Sequence, residues 1–269
     1  MLKKITNYLL FISGFLLWWQ ARLIISDDYV NGAPFEMGRV SLYISQIIIF
    51  STSFVLLWQW FKAGKKLLLN NKWYLIFAVL IIYLTLQTII LNNSLLGYFI
   101  LGQWLLLLLF LFSLLHSDFE SHKHKLIAGF ILGGLMLALW VWWQWFAQYQ
   151  FASTWLGVAE HLPAQPGTAV ILNGNDRIMR AYGGLPHPNI LGGYLVLVIL
   201  LFTNYRKKLF SEKFLRWENV LTSFLVGALM LTFSRSAIFG LIIGLLLLVG
   251  QTQYIKNNFK ILLTMFLTI

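Results

Sequence analysis

Long apolar runs separated by short polar connections recur along the whole chain, at 5–25, 40–61, 73–91, 96–115, 126–147, 189–205, 219–233 and 237–250. A further run opens at Ile261. A run of about 20 residues covers a hydrocarbon core of roughly 30 Å at a rise of about 1.5 Å per residue. Backbone N–H and C=O groups are not left unpaired in lipid, which restricts such runs to helices or to strands of a closed barrel. The runs are too long for barrel strands and lack a period of two, so the pattern predicts an all-α, polytopic transmembrane bundle of about eight complete spans plus the start of a ninth. The ninth run reaches only Ile269, too short to cross. The sequence is therefore expected to be a fragment of a single transmembrane domain, 1–269, incomplete at its C-terminus. Lys3 and Lys4 before the first run have the look of a secretion signal. The run continues through Trp18, Trp19, Gln20 and Arg22 without a small-residue cleavage site and is read as an uncleaved first span.

Composition agrees with the pattern: 59% of residues are hydrophobic and 11% charged, where soluble domains have about 45–50% and about 25%. The expected solvent is a lipid bilayer. The formal net charge of +11 does not indicate a nucleic-acid partner, because the basic residues cluster at span ends and do not line one polar face. Cysteine is absent, which excludes disulfides, a thiolate nucleophile and cysteine-ligated metal.

The clusters orient the chain. Lys3 and Lys4, then Lys62, Lys65, Lys66 and Lys72, then Lys123 and Lys125, then Arg206, Lys207, Lys208, Lys213 and Arg216, then Lys256 and Lys260 fall on alternate connections. The positive-inside rule makes all of these cytoplasmic, the N-terminus included. The other side holds Arg22, Arg39, Arg177, Arg180 and Arg235 and no lysine. Arginine presents a planar fork suited to bidentate phosphate contacts, so this asymmetry points to an anionic partner outside. Trp140, Trp142, Trp143 and Trp145 near the outer end of the fifth run read as an interfacial aromatic belt.

The outer side carries two polar constellations. The first ends the only long connection, the outer loop 148–188, whose length exceeds that of ordinary connectors. It reads Arg177-Ile-Met-Arg180-Ala-Tyr-Gly183-Gly184-Leu-Pro186-His187-Pro188-Asn189. Pro188 suits a first helical position and keeps His187 out of the α region, placing His187 at the N-cap side of the sixth span. The helix start favours an anion and a neutral imidazole, and Gly183 and Gly184 permit close approach or positive φ, bringing Arg180 over that start. The second constellation, Thr232-Phe-Ser234-Arg235-Ser236, interrupts the apolar stretch 219–250. One helix through it would put Lys256 and Lys260 outside, so two short crossings are expected, with Arg235 recessed in the outer leaflet. A charge at that depth marks function unless it snorkels to the headgroups.

Arg180-x-x-Gly183-x-x-x-His187-Pro188-Asn189 followed by Thr232-x-Ser234-Arg235 resembles the O-antigen ligase and Wzy-type polymerase superfamily, most strongly over 177–250. The resemblance implies a C-type membrane glycosyltransferase at the outer face of the cytoplasmic membrane, metal-independent and inverting, with no cofactor. Its donor would be a glycan on undecaprenyl pyrophosphate, and its acceptor a lipid, a protein or a growing glycan, as in lipopolysaccharide and other cell-envelope polysaccharides. Carried over by position, Arg180 and Arg235 would grip the pyrophosphate, with His187 beside them as a catalytic candidate. Arg177, Gly183, Gly184, Asn189 and Ser234 would complete the substrate site. The family also has a later outer loop with a catalytic histidine, to which nothing before Ile269 corresponds. Asp27, Asp28, Glu36, Glu160 and Asp176 are too scattered for a metal cluster, and Asp176 and His187 are the candidate bases within the chain. A flippase for polyprenyl-linked sugars or a non-catalytic scaffold would share the buried arginine; a flippase should repeat the interruption in two halves, and no second Gly-Gly-Leu-Pro-His-Pro occurs.

Overall fold

The computed structural model describes residues 2–27, 29–30, 33–34, 38–64, 72–91, 94–117, 119–212 and 216–249. The expected ninth run lies outside the described residues. Among those described, 68% are helical, in 8 helices: α1 Leu2–Phe15, α2 Ile44–Lys62, α3 Lys72–Leu91, α4 Leu95–His116, α5 Phe119–Ala147, α6 Pro188–Leu209, α7 Glu218–Met230 and α8 Arg235–Val249. Leu75, Ile90, Leu95 and Leu247 are all exposed, as expected of helices whose surroundings are hydrocarbon. Four helices are long and apolar enough to cross a membrane: Ile44–Lys62, Leu95–His116, His122–Ala147 and Pro188–Leu209. The apolar stretches Leu75–Ile90, Glu218–Met230 and Arg235–Leu248 are shorter. The chain is thus a helical membrane protein, and among the described residues four helices of spanning length replace the expected eight.

The largest correction concerns the first run. α1 stops at Phe15, and Trp19 N–H closes a turn onto the Leu16 carbonyl at 3.0 Å. The chain then extends as strand β1, Arg22–Ser26, antiparallel to β4, Val40–Tyr43, and a short pair, β2 Tyr29–Val30 with β3 Ala33–Pro34, lies between them. Ile24, Ile25 and Val40 are β-branched and fit a pleated surface, so the residues that lengthened the apolar run belong to a hairpin. The second run accordingly begins as strand and turns helical at Ile44.

Contacts divide the chain into two compact units, Met1–Ser13 with Arg22–Lys123, and Gly14–Ala21 with His124–Ile269. In the first, α4 packs against both α2 and α3. α1 runs antiparallel to α2, joined by Ser13 Oγ to Thr52 Oγ1 at 2.8 Å and by Gln59 to Thr6. Small hydroxyl residues let apolar helices approach and bond in lipid, where burial of further apolar surface offers little.

In the second unit the directions of the helices follow from their contacts. α5 runs antiparallel to α6: Gly134 lies against Val198, and the rings of His124 and Tyr205 are 6.1 Å apart. α7 returns beside α6, from Arg206–Glu218 at one end to Ala181 N–H on the Leu231 carbonyl (3.2 Å) at the other. α8 runs parallel to α6: a Cβ on Gly192 would meet Ala237 Cβ at 2.8 Å, and one on Gly244 would meet Leu200. Leu137, Val141, Leu195, Phe202, Leu225 and Leu229 fill the core between them. The N-termini of α6 and α8 therefore share one end of this unit with the C-terminus of α5, while Arg206, Lys207 and Lys208 lie at the other end. The loop at the first end is folded. Strands β5, Val170–Asn173, and β6, Asp176–Met179, form a hairpin, and bridges join Gln150 to His161 and Ser153 to Val158.

Candidate functional site

The break between α7 and α8 falls at the polar constellation that interrupts the apolar stretch 219–250. α7 ends at Met230, Leu231, Thr232 and Phe233 form a turn, and Phe233 takes a positive φ of 49°. The Ser234 carbonyl accepts the Ile238 N–H at 3.0 Å and so opens α8, with Arg235 at its first helical position. Ser234 is buried against Gly192, its N–H directed to Thr232 Oγ1 at 3.3 Å and its hydroxyl 3.3 Å from that of Ser236.

His187 caps α6 from an extended conformation, with Pro188 behind it. Its Nδ1 accepts the Asn189 N–H at 3.1 Å. The Asn189 side-chain oxygen accepts from Arg180 Nη2 at 2.6 Å, and Arg180 Nε donates to the Thr232 carbonyl at 2.8 Å. One chain of hydrogen bonds thus links His187, Asn189, Arg180 and the turn that leads to Arg235. The sequence separates these residues widely, and the parallel packing of α6 and α8 reunites them.

The electrostatics are one-sided. Partial burial lowers the pKa of the Arg180 guanidinium, and neighbouring Tyr182 acts in the opposite direction; an arginine nevertheless remains a cation. Both of its assigned partners are neutral oxygens. Arg235 is exposed and, among the described residues, neither guanidinium is paired with a carboxylate. Each helix N-terminus adds roughly half a positive charge from unpaired N–H groups. The arrangement can accept a multiply charged oxyanion.

The remaining predicted residues make other contacts. Gly183 and Gly184 have φ of 59° and 93°, and a Cβ on them would press on Leu191 and Trp140 respectively. They are buried turn formers. Arg177 donates from Nε to the Pro163 carbonyl at 2.7 Å, which ties β6 to the preceding loop and leaves it outside the His187–Arg180 chain. Asp176 begins β6 opposite Asn173. Of the tryptophans, Trp142 bonds the Phe224 carbonyl at 3.1 Å, Trp145 stacks on Phe233 and Trp140 on Phe151, so these side chains pack the unit internally.

Sequence reasoning passed over the glutamines that hold the loop. Gln144, fully buried in α5, accepts the N–H groups of Tyr182 (2.9 Å) and Gly183 (2.8 Å) on one oxygen. Gln148 accepts the Met179 N–H at 2.7 Å. The signal was available: a glutamine within an apolar helix must find partners. His161 lies flat on the Tyr182 ring, centroids 4.1 Å apart, and burial lowers its pKa, favouring neutral imidazole. In the other unit, an apolar cavity of about 500 Å³ between α2 and α4 is lined by Gln46, Gln103 and hydrocarbon side chains such as Phe50 and Phe99. It holds no charged group.

No family model matches the chain, and no curated protein and no solved structure matches it.

Proposed function

We propose that this chain binds the diphosphate of a polyprenyl-linked glycan and takes part in transferring or polymerising that glycan, as the O-antigen ligase and Wzy-type polymerase superfamily does. The observation that supports the proposal is that Arg180, bonded to Asn189 at the start of α6 and to the Thr232 carbonyl, and Arg235, which begins α8 at the same end of the unit, have no carboxylate partner among the described residues. Partial burial of the Arg180 guanidinium carries a desolvation cost that a bound anion would offset.

In this reading the N-terminus is cytoplasmic, the loop end of the second unit faces outward, and the whole is a C-type glycosyltransferase bundle in the cytoplasmic membrane. An acceptor hydroxyl attacks the anomeric carbon, the bond to the diphosphate breaks, and negative charge grows on the departing phosphate oxygen. Guanidinium groups and helix N–H groups stabilise that charge in a medium of low dielectric constant.

The test is transfer from an undecaprenyl-diphosphate-linked oligosaccharide by the purified chain in proteoliposomes. Arg235→Ala should abolish transfer while insertion and yield stay normal; wild-type transfer by that variant rejects the assignment. Movement of the donor across the bilayer without transfer identifies a flippase instead.

A further inference from the structure

We infer that His187 serves the proposed site as a neutral hydrogen-bond donor through Nε2 and is not the base of the reaction. This rests on the diphosphate reading. The sequence left His187 open as a base. The capping geometry decides between the two roles.

A backbone N–H can only donate, so the 3.1 Å contact from Asn189 N requires a lone pair on His187 Nδ1. The ring's proton then sits on Nε2. A neutral imidazole has one lone pair on nitrogen, and here the helix cap uses it. For His187 to take a proton from an acceptor hydroxyl, Nδ1 would have to release the cap, and the resulting cation would stand at the positive end of α6. Both changes oppose the base role. The same geometry prepares a donor: His187 is exposed, and Nε2 has no partner among the described residues. Asn189, whose N–H fixes the ring, is also the residue that holds Arg180. The cap thus sets the imidazole and the guanidinium relative to each other. Nε2–H and the unassigned Nη1 edge of Arg180 are then available to the same oxyanion. No proton moves to or from His187 in this role; the leaving diphosphate keeps its charge and accepts the hydrogen bond.

The experiment compares wild type, His187→Gln and His187→Asn in nanodiscs, reading binding of farnesyl diphosphate against farnesyl monophosphate and, separately, glycan transfer. Glutamine carries an N–H near the position of Nε2 and cannot act as a base. Asparagine keeps the cap and loses the reach. His187→Gln should hold diphosphate affinity and transfer within about tenfold of wild type, and His187→Asn should lose about 10- to 100-fold in affinity, the worth of a hydrogen bond to a charged group. Transfer lost in His187→Gln with wild-type affinity makes His187 a base and overturns the inference, and wild-type affinity in His187→Asn overturns it as well. Nitrogen-15 spectra of histidine-labelled protein, with the His187 signal assigned by its absence from His187→Gln, should show Nε2 protonated and Nδ1 not; the opposite tautomer overturns the inference by itself. Failure of the parent reading looks different: the wild-type protein then does not distinguish diphosphate from monophosphate.

Discussion

The two ends of the second unit treat arginine in opposite ways. At the end where α6 finishes, Arg206 is only 2% exposed and is satisfied entirely from within the protein: Glu218 accepts from its Nε at 2.9 Å and the Thr203 carbonyl accepts from Nη1. At the end where α6 begins, Arg180 bonds neutral oxygens and Arg235 is exposed. A charge taken out of water needs a countercharge, and the structure supplies one where the arginine closes a helix-to-helix connection. At the other end Arg180 is only partly buried and Arg235 is exposed, and under the proposed function their countercharge is the ligand. Arg206 is a structural cation, and in the proposed reading Arg180 and Arg235 are the receptor for an anion.

The largest effect should come from breaking the closed end. Glu218→Ala leaves Arg206 buried without its carboxylate and should cost about 3 kcal/mol, toward the lower end of the usual range because Glu218 is partly exposed. The check is the loss of reversible unfolding free energy in mixed micelles. Arg235→Ala at the open end should leave that unfolding free energy within about 0.5 kcal/mol of wild type, as for a surface position. If the two substitutions destabilise equally, the contrast between the ends is lost and Arg235 is a structural residue too.

The supports of the open end come next. Gln144→Leu is nearly isosteric, but it leaves the N–H groups of Tyr182 and Gly183 buried and unpaired. Each such group costs about 1–3 kcal/mol, and partial relaxation of the turn should bring the total to about 2 kcal/mol. Because Arg180 hangs from the same turn, affinity for farnesyl diphosphate should fall along with stability. A variant that loses stability and keeps full affinity would show that Arg180 is placed by Thr232 and Asn189 alone.

How far the sequence could foretell these features depends on whether a residue's partner is local. The cap at His187 and the left-handed turn at Gly183 and Gly184 follow from their immediate neighbours, and the structure has both. The break before Arg235 followed from the alternation of lysine-bearing connections, a constraint that spans the chain but needs no contact to be known. Hydropathy, by contrast, measures the preference of each residue for an apolar medium and does not identify what it packs against. It therefore continued the first span as far as Ile25, although Leu23 and Ile24 pair with a strand formed later in the chain. It likewise gave no sign that Gln144 would reach Tyr182, that Arg206 would find Glu218, or that Arg177 would be held by Pro163. Each of those residues is defined by a distant partner.

The smallest predicted effect examines the turn that brings the two arginines to one end. Phe233 has a φ of 49°, a conformation that costs a residue with a Cβ about 1–2 kcal/mol and glycine almost nothing. Its ring stacks on Trp145 with centroids 5.6 Å apart, which offsets part of that cost. Phe233→Ala and Phe233→Gly both lose the stack, so their difference isolates the backbone. With the turn as described, the glycine variant should be the more stable by about 1 kcal/mol in micelle unfolding. An uninterrupted helix through 231–236 would reverse the order, since alanine exceeds glycine by about 1 kcal/mol at a helical position. The sign of that one difference decides whether Arg235 starts a helix beside the N-terminus of α6 or lies in the middle of a continuous one.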